Sequence, residues 1–213
     1  DAIFNELRDS IKYIRTILFE GDGYSEAWIK QAKKRGLSPT TSTPDALQAY
    51  AAPKSISMFH ALDVFSKREL EARVQVDLEQ YTHTLQIEGR TLGDIARNHI
   101  IPTAIQYQNT LIDNVKGLKE IYGATYKTHA KEQMVLIERI SGHIAQINTG
   151  VNDMIEARKK ANTIEDTAAK ANAYHAQVKV YFDSIRYHCD KLELLVDNSI
   201  WPLAKYRELL FSR

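Results

Sequence analysis

The chain has 213 residues, 44% of them hydrophobic, with 28 Lys and Arg against 27 Asp and Glu for a formal net charge of +1. Such a length and apolar content support a real core and exclude a disordered chain, while the near-neutral balance leaves no electrostatic footprint for nucleic acid or an anionic membrane. The single cysteine, Cys189, excludes an internal disulfide framework, and no apolar run approaches the roughly 20 residues of a bilayer span, so a cytoplasmic location is expected.

Residues 1–65 read as short helices separated by turn chemistry, a segment linking to some larger body, and residues 66–213 as a bundle of long helices packed with it. At the amino end Ile3, Leu7, Ile11 and Ile14 or Leu18 share one helical face. Asp1 is neither an initiator methionine nor the start of a signal-peptide pattern, so the chain is expected to be a piece of something longer or a processed product. The stretch from Tyr206 to Arg213 reads more like a natural end. The first helix should stop at Glu20-Gly-Asp-Gly23. Ser25 can cap a second helix carrying Ala27, Trp28, Ala32 and Lys33 as far as Gly36. Pro39 and the following threonines form a loop, Thr43 can cap a helix with Pro44 at its first position, and Ala52-Pro53 repeats the device for a helix through Met58 and Leu62.

Ser66-Lys-Arg-Glu69 is a capping box that opens a very long helix to Tyr122, even though that stretch contains Gly89, Gly93 and Pro102. A proline inside a helix removes a backbone hydrogen bond and costs roughly 3 kcal/mol, so a kink at Pro102 offset by tertiary packing is expected. One stripe runs Leu70, Val74, Leu78, Tyr81, Leu85, Leu92, Ala96, His99, Thr103, Tyr107, Asn114 and Leu118. After Pro102, Ile105 and Ile112 open a second apolar face, which places the carboxy half between neighbours. Gly123 ends the helix.

The next helix obeys a heptad, with Ile137, Ile144 and Val151 at one core position and Ile140, Ile147 and Met154 at the other. Asn162-Thr-Ile-Glu165 can cap a third long helix whose seam is Ala171, His175, Val178, Phe182, Ile185, Cys189, Leu192 and Val196. Tight turns force these three helices antiparallel. Trp201-Pro202 breaks the last one, and a short helix through Tyr206, Leu209 and Leu210 can fold back over the bundle. Strand signals are almost absent, so the fold class is all-α: a bundle of long antiparallel helices, one kinked at Pro102, with short amino-terminal helices.

Seven histidines invite a metal hypothesis, yet no Cys-x-x-Cys, His-Glu-x-x-His or Glu-x-x-His spacing occurs. His99 and His175 on seam positions read as hydrogen-bonded core residues rather than ligands or bases. His188 beside Cys189 hints at an activated thiol, but a seam cysteine is ordinarily inert packing. Gly21-Asp-Gly23 lacks the strand, the third glycine and the Lys-Ser/Thr pair of a phosphate cradle and reads as a turn. Asn114 is expected in buried polar pairing, the Arg90, Asp94, Asn98 row on a solvated or docking face, and Arg158-Lys-Lys160 at a solvated helix end. Residue chemistry therefore assigns no catalytic, cofactor-binding or metal-binding residue and describes a helical interaction or structural module.

The words Gly21-Asp-Gly-Tyr-Ser-Glu-Ala-Trp28, Lys34-Arg-Gly-Leu37, Thr43-Pro-Asp-Ala-Leu47, Glu69-Leu-Glu-Ala-Arg73, Ile87-Glu-Gly-Arg90, Asn98-His-Ile-Ile-Pro-Thr-Ala-Ile105, Tyr107-Gln-Asn109 and Asn114-Val-Lys-Gly-Leu-Lys-Glu120 run in order along the chain. Ile155-Glu-Ala-Arg-Lys-Lys-Ala-Asn162, Ile185-Arg-Tyr-His-Cys-Asp-Lys-Leu-Glu193 and Trp201-Pro-Leu through Phe211 continue them. Together they resemble the carboxy-terminal region of type III glutamine synthetases. The resemblance implies a parent enzyme that ligates ammonia to glutamate with ATP and a divalent metal, Mg or Mn, through a γ-glutamyl phosphate, and that assembles as a homo-oligomeric ring. The metal, nucleotide and glutamate motifs of that family lie in the catalytic barrel and have no counterpart here. The chain alone is therefore expected to be inactive, with its own barrel and neighbouring subunits as partners and neither nucleic acid nor membrane. Two other classes stay open: a stand-alone helical scaffold or adaptor, and an independent metalloenzyme with a carboxylate and histidine cluster inside the bundle.

Overall fold

The computed structural model describes residues 2–15 and 18–211, and among them every regular element is a helix. The chain divides between Ala46 and Leu47 into two compact units. The first holds α1 (Ala2–Ile14), α2 (Glu26–Lys34) and the start of α3 (Thr43–Gln48). In α2 the cap is the expected one, since Ser25 Oγ accepts from the Trp28 N–H at 3.2 Å, and Gly36 closes the helix in the left-handed region at φ +74. The Trp28 ring packs on Phe19, centroids 4.8 Å apart. The cap of α3 lies one residue earlier than the sequence indicates. Ser42 Oγ, not Thr43, accepts from the Asp45 N–H, because Thr43 already has helical geometry.

In the second unit, α4 (Pro53–Ala61) begins on a proline, as expected, behind Ala52, which has no side-chain acceptor to offer. Ser66 and Glu69 form the full capping box of α5 (Lys67–Ile95): Ser66 Oγ accepts from the Glu69 N–H, and the Glu69 carboxylate accepts from the Ser66 N–H at 2.8 Å. Those bonds to Ser66 hold the Glu69 carboxyl below the usual range. After α5 comes one wide turn, Ala96–Ile100, in which the Ile101 N–H reaches back five residues to the Ala96 carbonyl, and then α6 (Ile101–Tyr122). The irregularity expected at Pro102 takes this form. The ladder is already displaced by one residue where the proline supplies no N–H, so the helix passes Pro102 without a break.

Gly123, at φ +54, ends α6, and a turn through α7 (Tyr126–His129) leads to α8 (Lys131–Asn162). The chain reverses again into α9 (Thr167–Ala173), a second wide turn at Tyr174–Val178, and α10 (Val180–Leu195). Asp166, not Asn162, caps α9, its carboxylate accepting from the Ala169 N–H at 2.7 Å. Asn162 is occupied elsewhere: its Oδ1 accepts from the Tyr174 hydroxyl at 2.6 Å and from Gln86 Nε2 at 3.1 Å, so one amide joins α5, α8 and the wide turn. In the core, α8 lies between α6 and α10, and α5 packs on α9.

Ile140, Ile147, Val151, Met154, Val178, Ile185 and Leu192 are fully buried or nearly so, as the heptad and the third seam predict. Each such side chain is worth about 1.5–3 kcal/mol of burial before entropy is subtracted. Ile137 and Ile144 sit at the margin of that core. The stripe on α5 is correct from Leu70 to Leu85 and then departs. Beyond Leu85 the buried positions are Gly89, Gly93, Ala96, Ile100, Ile101, Ala104 and Leu111, whereas His99 and Asn114 are exposed and Leu92, Thr103, Tyr107 and Leu118 half-buried. The cause is close helix approach. A Cβ at Gly89 would stand 3.4 Å from the Phe182 ring, and one at Gly93 would stand 3.4 Å from Val151, so glycine rather than a large apolar side chain marks the seam there. Asn114 accordingly is not a buried partner; it accepts from Gln133 Nε2 on the surface.

The carboxy half of the long helix is not enclosed within the chain. It packs on α8, while Ile105 and Ile121 remain exposed. Nor do Leu209 and Leu210 of the terminal segment after α11 begins (Tyr206–Leu209) fold back over the bundle: both are exposed, as is Phe211, and the Tyr206 side chain lies outside the described residues.

Candidate interaction surfaces

Among the described residues no group of three or more His, Cys, Asp or Glu converges as a metal ion would require. No helix among them is long and apolar enough to cross a membrane. Cys189 lies buried, and desolvation followed by the charge of Asp190 pushes its thiol up to about 11, which keeps it protonated and unreactive at neutral pH. The bland reading of His188 beside Cys189 therefore fits the geometry. His188 instead meets His143 across α10 and α8, Nδ1 to Nδ1 at 2.9 Å. The rings' centroids are 5.2 Å apart, about the N–N distance plus the two ring radii, so both nitrogens lie on the line between the rings as an N–H···N bond requires. Burial, then the charges of His188, Arg139 and Lys191, lowers the His143 pKa below its ordinary value.

His175 is half-buried and bonded, as expected, with Tyr81 Oη 2.8 Å from its Nδ1. Burial and then the Glu88 charge raise the tyrosine pKa, so the hydroxyl keeps its proton. Both histidine contacts are cross-helix ties between side chains far apart in sequence. Neither presents a nucleophile beside a base with an open site for a reacting atom, which is what acid–base or covalent catalysis needs.

Three surfaces offer contact rather than chemistry. On α1 the whole apolar stripe is uncovered: Ile3, Phe4, Leu7 and Ile11 are 77%, 68%, 57% and 58% exposed, and no residue of the helix is buried. A second surface is a cleft of about 660 Å³ between the short helices and the start of α5, walled by Leu47, Tyr50, Phe59, Phe65, Leu70 and Val74. The Arg73 guanidinium lies 4.7 Å above the Phe65 ring at its rim. The third is on the long helix, where Ile87 and Ile105 stand exposed eighteen residues, about five helical turns, apart. Sequence periodicity locates the first surface and only Ile105 of the second apolar face expected after Pro102, since Ile112 is half-buried; the cleft was missed, because its aromatics come from segments whose mutual placement no local pattern encodes.

The profile of the family described as glutamine synthetase C-terminal domain matches residues 2–119. The chain is 44% identical over 214 residues to a protein of Bacteroides fragilis named glutamine synthetase, an alignment covering 100% of the chain and 29% of that relative. It is 28% identical over 210 residues to the type-3 glutamine synthetase of Dictyostelium discoideum, covering 95% of the chain and 28% of the relative. A glutamine synthetase of Butyrivibrio fibrisolvens is 24% identical over 216 residues, covering 98% of the chain and 30% of the relative. The chain thus spans less than a third of the length of these curated relatives.

Proposed function

Because the chain belongs to the glutamine synthetase C-terminal domain family, we propose that it acts as the helical, non-catalytic domain of a type III glutamine synthetase, packing on its own catalytic barrel and on neighbouring subunits. The parent reaction in this reading is the ATP-dependent ligation of ammonia to glutamate in the cytoplasm, with Mg or Mn held by the barrel. The chain itself contributes no reacting group.

One observation carries the reading: α1 presents an apolar stripe with no buried member, although an amphipathic helix of a monomeric domain normally covers that stripe. Interfaces supply such cover, with an apolar centre and a polar rim. The experiment is sedimentation velocity on the full-length parent enzyme, its Leu7→Asp/Ile11→Asp variant and a version lacking this region. The expected outcome is a loss or a change of the oligomer in both altered proteins. An unchanged oligomer in both would refute the assembly role. Assayed by itself with glutamate, ammonia and ATP, the chain should form no glutamine; turnover would refute its non-catalytic role.

A further inference from the structure

Between α5 and α8 lies a small pocket of about 220 Å³ whose lining carries more positive than negative side chains. Three arginines line it: Arg90 on α5, Arg97 in the wide turn and Arg158 near the end of α8. Among the described residues none of the three forms an ion pair. Arg97 donates through Nη2 to Asn152 Oδ1, which tethers it across the groove. Arg90 and Arg158 have no hydrogen-bond or ring partner there. Asp94 is the one acid lining the pocket, and its carboxylate accepts from Asn98 Nδ2. The apolar part of the lining is Val151, Met154 and Ile155, together with the bare backbone of Gly89 and Gly93.

This arrangement differs from an ordinary solvated face. Among the described residues the ion pairs are all formed by residues at most four apart on one helix, and Arg8 and Arg186 are the arginines that take part in them. Here two helices bring three arginines to one concavity with a single carboxylate, Asp94, against them, so the lining carries an excess of positive charge that an entering anion would offset. Low-dielectric walls strengthen the field felt there, and the forked guanidinium matches the paired oxygens of phosphate or carboxylate.

We propose that this pocket binds a small dianionic oxyanion ligand, a phosphate or a dicarboxylate, held by Arg90, Arg97 and Arg158. Arg97 is pre-oriented by Asn152, and Arg90 and Arg158 close on the ligand from opposite helices. Binding therefore ties α5 to α8 at the level of the wide turn. The pocket volume suits a ligand of a few heavy atoms and is below the usual range for nucleotides and other drug-sized molecules.

The test follows backbone amide resonances of the isotopically labelled 213-residue chain while inorganic phosphate or succinate is added at constant ionic strength. Saturable shifts clustered on Gly89, Gly93, Asp94 and Arg97 are expected with one or both probes. Arg90→Gln/Arg158→Gln removes two side chains that bond nothing among the described residues, so its circular dichroism should be unchanged while binding weakens about tenfold or more. Arg68→Gln, an exposed arginine elsewhere on α5, should leave binding intact. Saturation by phosphate only, by succinate only or by both, lost in the double variant, supports the proposal and identifies the class. No saturable shift with either probe, or binding as tight in the double variant as in the parent, overturns it.

Discussion

Helices α1 and α8 are both amphipathic, yet they end in opposite states. In α8 the apolar positions Ile140, Ile147, Val151 and Met154 vanish between α6 and α10, and in α1 not one residue is buried. Periodicity alone would treat them alike. What separates them is whether a complementary surface is at hand: α8 has one on each side, whereas no described residue of α1 is buried. An apolar stripe reports that a face wants cover, and only the packed structure reports who provides it.

The sharpest way to break this comparison is to place a charge in each stripe. Ile147→Asp buries an unpaired carboxylate at a fully buried site and should abolish the cooperative thermal transition of the chain, the cost exceeding the 2–5 kcal/mol of a simple truncation. A retained transition near the parent temperature would refute the seam. Next come the glycines. At Gly150 an added Cβ would stand 3.0 Å from Ile185 Cγ1, a side chain that is itself buried, so Gly150→Ala should destabilise by about 1–2 kcal/mol despite the gain in helix propensity. At Gly117 nothing lies within 4 Å, and Gly117→Ala should stabilise by about 0.5–1 kcal/mol. Urea denaturation midpoints distinguish the two; equal shifts would mean that helix approach does not matter on α8.

A smaller effect is expected from pH. The folded pKa of His143 lies below its ordinary value, so the unfolded chain binds the extra proton more readily. The stabilisation is complete above the unfolded value of about 6.5 and falls as pH drops through that value toward the folded one. His143→Gln should flatten the denaturation midpoint against pH between about 7 and 5, and a slope equal to that of the parent would remove His143 from the account. Smallest of all, Leu7→Asp/Ile11→Asp should change the chain's own stability by no more than about 0.5 kcal/mol, since those side chains are already in water. A large loss would show that the α1 stripe is covered within the chain after all.

Much of the fold was legible because its signals are local. The capping box at Ser66 and Glu69, the cap at Ser25, the stops at Gly36 and Gly123 and the heptad of α8 are each decided within a few residues. The stripe beyond Leu85 was legible only at Ala96, since a seam that passes through Gly89 and Gly93 offers no side chain to read there. The expected burial of Asn114 and His99 failed for the same reason. Asn162 was misread as a cap because a capping residue and a tertiary acceptor look identical in sequence; Asp166, four residues on, does the capping. The pairing of His143 with His188 and the three-arginine pocket depend on which helices lie side by side, and no spacing within one helix encodes that. Arg90, Asp94 and Asn98 were legible as one row, and Arg97 lies seven residues from Arg90 on the same helical stretch, but Arg158 joins them only in three dimensions.

The Asn162 amide has one further consequence. Heptad seams are forgiving along their length, and sliding one helix by seven residues re-forms most apolar contacts at little cost. Such a slip would carry the wholly enclosed Tyr174 hydroxyl away from Asn162 Oδ1 and leave it with nothing to bond, while Gln86 lost the same acceptor. The amide therefore works as an index mark between α5, α8 and the wide turn, favouring the axial alignment in which the enclosed Tyr174 hydroxyl is answered.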